Sequence, residues 1–530
     1  MGPEFWWIKY RKKNLQPRYR LTTEMLIRKS LRETFKEYIS CSSLPGVRQL
    51  VSPEEPILAR LCMFVMLCLL FSTVQYYLYL TWTSTLSNPL VVSGESFTYP
   101  IKDIDFPAVA LCNINRISKK ALKKMALEMY PKLNKLHNLT VSKLEHFLRH
   151  MGQLINFEKR PSNFSESKLI EEYSKVFGSE TVNIMNTLAP SCDEMLLRCI
   201  WGGKLVNCSS IFTVRRTVLG HCCAFNYVLD YGAADNPKGT IGEVKRQIVP
   251  GLMNGLRVII DTMLDDYAYP LHQFRQGFDI LVFNSYHFAD MTGGRVLQRT
   301  VQPSQAEYYL LSSIKQVASS EVRKYPIKTR QCLFQKDLPK MYKNIYSYSS
   351  CITKCRIETV QTLCKCTPYF LPSTSRLPIC TLKELNCLHK YKDKLQYLYP
   401  RDAEGNEALK EELTVSMYCP NCWPDCELTD HSIRSYKIDS FRTGRPGFRN
   451  SFLSGLDLRN KSVISVFQAT GEGVLHRLDV VSYWYEILSN IGSFAGVCMG
   501  IGIFTFVEII YFMFIRFFQI MYSNYVTYNK

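Results

Sequence analysis

The chain has 530 residues, a formal net charge of +19 and a mean hydropathy of −0.09. Hydropathy that low excludes a polytopic transporter, so any membrane-embedded portion is small. Basicity alone would suit nucleic acid, but no zinc-finger spacing, RNA-binding aromatic motif or base-reading basic helix is present, which argues against that class.

Residues 1–56 carry eleven Lys and Arg against six acids and lack the apolar core of a secretory signal. Pro45-Gly46 is a turn signal just ahead of the first apolar segment. Residues 61–82 hold no charge, with Arg60 at one end and Tyr76, Tyr77, Tyr79 and Trp82 at the other. Arg inside and an aromatic belt outside predict a membrane span over residues 57–82 whose N-terminal side is cytoplasmic.

Residues 83–485 then form an extracellular domain. Phe106-Pro107-Ala108-Val109 through Cys112 reads as a short strand, and residues 116–130 as a basic helix with a solvated face. Residues 131–190 read as helical and polar. Runs 258–260, 280–283 and 308–311 are apolar and β-prone, as in a central sheet. Residues 351–366 place Ile357, Val360, Leu363 and Cys364 on one helical face. A second helical stretch covers 380–400, followed by an acidic linker over 402–412.

Sixteen of the twenty cysteines lie in this region: Cys112, Cys192, Cys199, Cys208, Cys222, Cys223, Cys332, Cys351, Cys355, Cys364, Cys366, Cys380, Cys387, Cys419, Cys422 and Cys426. An even number in an oxidising compartment implies a disulfide framework, whose connectivity spacing leaves open. The Cys419, Cys422, Cys426 spacing would suit zinc in a cytosolic chain, but the compartment favours disulfides, and the adjacent Cys222-Cys223 reads as two structural bridges. The four glycosylation acceptors, Asn138, Asn163, Asn207 and Asn460, fall in the same segment.

The second apolar stretch is uncharged from 487 to 507. With the apolar run beyond Glu508 it predicts a span over residues 486–515. The tail 516–530 has two basic residues and no acid, and is placed in the cytoplasm. Gly492, Gly496 and Gly500 recur once per turn, Gly502 follows, and Glu508 is a lone carboxylate in an apolar run. Such a group is expensive unless it faces water, a pore or a partner. A dimerising anchor is one reading. A cation pore accounts better for both the small-residue seam and the carboxylate. The nine histidines are not matched with Cys or carboxylates at motif spacing and no phosphate loop occurs, so neither an enzyme, a metal site nor a cofactor is expected.

Two spans, Phe106-Pro107-Ala108-Val109-x-x-Cys112-Asn113, and Tyr346-Ser347-x-x-x-Cys351-x-x-x-Cys355 ending in Cys364-x-Cys366 resemble the degenerin/epithelial sodium channel family. Met195-Leu196-Leu197-Arg198-Cys199-x-Trp201, Cys222-Cys223-x-Phe225-Asn226 and Asp479-Val480-Val481-x-x-Trp484-Tyr485-Glu486 look similar to its insect pickpocket-like branch. The resemblance implies an α+β membrane protein, with two transmembrane helices flanking a disulfide-rich domain of central sheet and peripheral helices. It also implies a homo- or heterotrimer with related subunits, passing sodium ions and blocked by amiloride, in chemosensory, mechanosensory or epithelial cells. Gly500-Ile501-Gly502 falls at the family's filter, where the last residue is usually Ser, with Glu508 following and Gly496 a turn before. Ser489 falls at its outer gating position, and Pro45-Gly46 stands where the family has His-Gly before the first span. Acid-sensing relatives carry His where this chain has Thr81 and Trp82, and residues 61–507 are net +12, so direct proton gating is not expected. A non-conducting regulatory subunit and a two-span scavenger-type lipid receptor are the alternatives. The latter needs neither the glycine filter nor Glu508, and a purinergic-type channel would need a basic nucleotide site that is not recognisable.

Overall fold

The computed structural model describes residues 23–529 except 53–54, 88, 134–138, 160–166, 229–242, 271–273, 294, 336, 338–346, 373–376, 404–406 and 441–451. The chain divides into two compact units, Met1–Pro89 with Val480–Lys530, and Leu90–Asp479.

The first unit is helical. Its first long helix, Ile57–Ser87, outruns the expected end at residue 82. Thr81, Thr83 and Thr85 each donate their hydroxyl to the carbonyl one turn back, so these polar side chains are satisfied within the helix itself. The second apolar stretch is not one helix but a series: Trp484–Met499, Ile503–Ile510, a wide turn over Tyr511–Arg516, and Phe517–Asn529. By length and composition Ile57–Thr85 and Ile503–Thr527 are each long and apolar enough to cross a membrane. Helix Thr23–Cys41 runs alongside the last of these segments. Arg516 donates from Nε and Nη2 to Glu37 at 2.6–3.1 Å, and Asn524 Nδ2 reaches Glu33 at 2.9 Å.

The second unit is layered. Among the described residues one sheet runs in the order Leu90–Pro100, Glu472–Val480, Gln305–Ala318, Lys461–Gln468, Leu256–Asp261, Leu196–Trp201, Lys204–Val206, with Leu428–Ser440 also paired to Gln305–Ala318. The other runs Phe212–Thr217, Gly220–Phe225, Ala108–Asn113, Phe278–Phe283, Leu297–Val301. The strand Ala108–Asn113 is buried at every position. Because side chains alternate, Val109 and Leu111 meet Val258, Ile260 and Ile464 of the larger sheet, whereas Ala108, Ala110 and Cys112 pack under the helices. A strand covered on both faces reads as a continuous apolar run. The β-prone runs form strands as expected, 258–260 and 308–311 in the larger sheet, while Phe278–Phe283 pairs with Ala108–Asn113 in the smaller one.

The helical layer covers the outer face of the smaller sheet. Lys119–Met129 contributes Leu122, Ala126 and Met129, and Val141–His150 contributes Leu144, Phe147 and Leu148, each at helical spacing. Ser118 and Thr140 cap these helices, accepting from the backbone N–H three residues on. Helix Tyr348–Cys364 buries Ile357, Val360 and Cys364, with Leu363 partly buried beside them, as its pattern predicts. Where a helical stretch over 380–400 is expected, two short helices form, Leu385–Lys390 and Lys392–Gln396. The acidic linker contains the short turn Glu407–Leu409 and runs into helix Lys410–Val415.

The sixteen cysteines pair as Cys112–Cys222, Cys192–Cys223, Cys199–Cys208, Cys332–Cys426, Cys351–Cys422, Cys355–Cys419, Cys364–Cys387 and Cys366–Cys380. Cys351 and Cys355 lie one turn apart on a helix, so a second segment lying against that face meets both.

Candidate pore and its supporting loop

The break in the second apolar stretch falls at the glycines. Helix Trp484–Met499 ends on Gly500, whose φ of +66° is left-handed and whose N–H closes on the Gly496 carbonyl at 2.9 Å. Gly492 and Gly496 keep their helical spacing within that helix. The seam therefore stops at Gly500, because a residue at positive φ ends the helix it follows. Gly502 is different. Its backbone is extended (φ −117°, ψ −178°), and a Cβ there would meet nothing within 4 Å. Thr505, buried, accepts from the Gly502 N–H at 3.3 Å and donates its own N–H to the Gly502 carbonyl at 3.1 Å, starting helix Ile503–Ile510. Gly500-Ile501-Gly502 is thus a short non-helical link between two helices. At a helix C-terminus the last carbonyls lack helical partners, which leaves oxygens able to replace part of a cation's hydration shell.

The segment before the first span packs under this link. Gly46 has φ +82°, and a Cβ on it would come within 2.7 Å of Met63 Cε, so the turn at Pro45-Gly46 requires glycine there. A Cβ on Gly500 would lie 2.9 Å from Pro45 Cγ and Cδ. Two residues before Pro45, Ser43 donates its backbone N–H (3.2 Å) and Oγ (2.6 Å) to Glu508 Oε2. The Ser43 and Thr505 hydroxyls are 3.4 Å apart. Glu508, half-buried, therefore finds a protein partner within its own chain. Ser43 is a site residue that the sequence did not disclose: it lies 465 positions from Glu508, and no local pattern links them.

Ser489 is exposed on helix Trp484–Met499, away from the break. One turn further along, the Phe494 ring stacks on Tyr77 of the first span at 4.0 Å. Of the glycosylation acceptors, Asn207 and Asn460 are exposed, the former capping helix Cys208–Ile211 through its side chain. Asn138 and Asn163 lie outside the described residues. Among the described residues no group of three or more His, Cys, Asp and Glu is placed to hold a metal ion.

A disulfide-laced α+β domain inserted between two apolar helical stretches, the second broken at glycine, defines a two-span membrane channel subunit. The family model "Amiloride-sensitive sodium channel" matches residues 38–512, and the chain belongs to that family. Relatives include the sodium channel protein Nach of Drosophila melanogaster, 23% identical over 91% of this chain and 87% of the relative. Pickpocket protein 28 of the same organism is 22% identical over 92% and 79%, and the bile acid-sensitive ion channel of Mus musculus 20% over 84% and 79%. The insect relatives support the pickpocket-like branch. The family and these relatives are ion channels rather than enzymes.

Proposed function

We propose that this chain is a subunit of a sodium-permeable, amiloride-sensitive channel of the plasma membrane, in which three subunits, identical or related, surround one pore. Both termini lie in the cytoplasm and residues 83–485 lie outside, glycosylated at Asn138, Asn163, Asn207 and Asn460. The observation that carries this reading is the interruption of the second apolar stretch at Gly500-Ile501-Gly502, with the Pro45-Gly46 turn packed against it. Three copies of that link would bring backbone oxygens into a narrow ring selective for small cations. Glu508 adds negative potential near the ring and also holds the supporting loop through Ser43. The apolar exposure of Val497, Ile503 and Phe504, each above 80%, supports burial of this stretch against further copies and lipid.

A second reading, a regulatory subunit that modifies a pore formed by others, is favoured by Gly502 in place of the family's usual Ser, which removes a hydroxyl from the filter. Expression in oocytes, alone and with related subunits, separates the two. A sodium current blocked by amiloride and altered in selectivity by Gly502→Ser supports a conducting subunit. A current whose selectivity and block are indifferent to this chain's filter overturns it.

A further inference from the structure

Helix Thr23–Cys41 is tied by one face to the end of the second apolar stretch, and beside that tie it leaves a groove. Ser30, Glu33 and Glu37, spaced three and four apart, form the tied face. Asn524 Nδ2 donates to Ser30 Oγ at 3.1 Å and to Glu33 at 2.9 Å, while Arg516 holds Glu37. Leu31, Phe35 and Tyr38 repeat at the same spacing on the neighbouring face, opposite Phe512, Met513 and Phe517. These two sets line a groove of 430 Å³, within the size range of small-molecule sites. Polar clamps set the distance between the two elements, so the groove is present before anything enters it.

The lining is almost wholly apolar. Thr34 is buried and spends its Oγ1 on the Ser30 carbonyl at 2.7 Å. Phe512, 6% exposed, meets Tyr38 edge-on at 5.4 Å. Leu31, Phe35 and Met513 remain more than half exposed, and so do neighbouring Phe514 and Phe518. Apolar surface this continuous marks a place that hydrocarbon or protein covers.

The rim of the groove is basic. Arg32 and Lys36 each follow a groove residue by one position, lie one turn apart and are exposed. Neither has an ion-pair or hydrogen-bond partner among the described residues. The acids of the same helix are engaged: Glu24 with Arg28 at 2.8 Å, Glu33 with Asn524 and Glu37 with Arg516. That charge decides the occupant. A second copy of the chain brings the same uncompensated cations. The chain's own Phe5-Trp6-Trp7-Ile8 is followed by Lys9, Arg11, Lys12 and Lys13, which Arg32 and Lys36 repel. An anionic lipid supplies hydrocarbon and countercharge together, and such lipids are concentrated in the cytoplasmic leaflet.

We propose that the groove holds one acyl chain of an anionic phospholipid from the cytoplasmic leaflet, with the headgroup phosphate against Arg32 and Lys36. This site presupposes that the second apolar stretch crosses the membrane and ends in the cytoplasm, as in the function proposed above. Helix Thr23–Cys41 ends two residues before Ser43, so a lipid bracing the helix also braces the loop that Ser43 ties to Glu508.

The test places the full-length protein in phosphatidylcholine nanodiscs doped with phospholipids carrying a diazirine on the acyl chain, and maps labelled residues by mass spectrometry. A phosphatidylserine probe labels Leu31, Phe35 or Met513 at least about fivefold more than a phosphatidylcholine probe, the preference that a basic residue confers beside an anionic headgroup. Exposed positions of Ile57–Thr85 are labelled equally by both probes and report insertion in the bilayer. Arg32→Gln combined with Lys36→Gln removes the preference and leaves melting unchanged. Leu31→Trp, at an exposed position of the lining, fills the groove and removes the groove labelling itself. If the double variant does not fold, Leu31→Trp decides. Equal groove labelling by the two probes, or groove labelling unchanged in Leu31→Trp, would overturn the proposal. So would groove labelling that appears only when residues 2–20 are removed, or a cross-link to a second copy in place of lipid. Absence of label from both apolar stretches would overturn their membrane placement, and the site with it.

Discussion

At the scale of single residues, the two glycines of the link make opposite demands. Gly500 sits at positive φ with Pro45 against the place a Cβ would occupy, so any side chain there is strained and crowded. Gly502 lies in extended backbone facing open space, a conformation Ser adopts freely. Gly500→Val should therefore abolish current while Gly502→Ser leaves channels assembled and conducting, measured as current per subunit at the cell surface. The same reasoning links Ser43 to Glu508. A hydrogen bond to a charged group contributes about 1.5–3 kcal/mol net, less where half-exposed. If Glu508 acts partly by fixing the loop, Ser43→Ala should reproduce part of the conductance lost in Glu508→Gln, and the double variant should lose less than the sum. Strictly additive losses would confine Glu508 to its charge.

At the scale of elements, much was legible where one force dominates. The strand Ala108–Asn113 announces itself because burial on both faces makes 108–112 a continuous apolar run, and helix Tyr348–Cys364 because its apolar residues recur at helical spacing. Which strand pairs with which was not legible, since 258–260 and 280–283 look alike and differ only in their partners. Connectivity was equally hidden: Cys351 and Cys355 could reach any of several cysteines until the segment carrying Cys419 and Cys422 is laid against their helix. The glycine seam reads as a helix face until backbone conformation shows the helix ending at Gly500.

The interior strands also set a pH response. Burial holds His221, His287 and His431 down at about 4, 4 and 3, helped by Arg216, Arg295 and His287 respectively. Burial pushes Asp425, whose Oδ2 is 3.6 Å from His287 Nε2, up to about 7. For the histidines the folded value lies below the unfolded one, so their stabilising share is present above pH 6.5 and lost as pH falls. Asp425 has the opposite sign: its share is present at low pH and is lost as pH rises through about 7. Between roughly pH 6.5 and 4 the His287 and Asp425 contributions cancel, leaving two histidines and a loss of roughly 2–3 kcal/mol per pH unit. Melting of the purified protein should fall steeply from pH 6.5 to 5, and His431→Gln, able to keep a bond to Ser313, should flatten that slope. A melting temperature that rises on acidification would contradict this assignment.

At the scale of the whole molecule, one chain supplies only one glycine link, and no single link can surround an ion. The exposed face of the second apolar stretch and the open space beside Gly492 must be met by other chains or lipid. If the link lines the pore as proposed, closed cyclic assembly would make the pore a shared structure in which each copy contributes one segment of the ring. A bulky side chain in one copy then obstructs the path for all. Co-expressing wild-type chain with equal Gly500→Trp should leave about one eighth of the current if three interchangeable copies line the pore, and about one quarter if two do. In a mixed assembly that takes a single copy of this chain, the same experiment leaves about one half. Plotting residual current against the fraction of mutant message distinguishes these cases by curvature rather than by any single value. A residual current that does not decline with mutant fraction, in channels shown by surface labelling to contain the variant, would place the conducting path outside the Gly500-Ile501-Gly502 link.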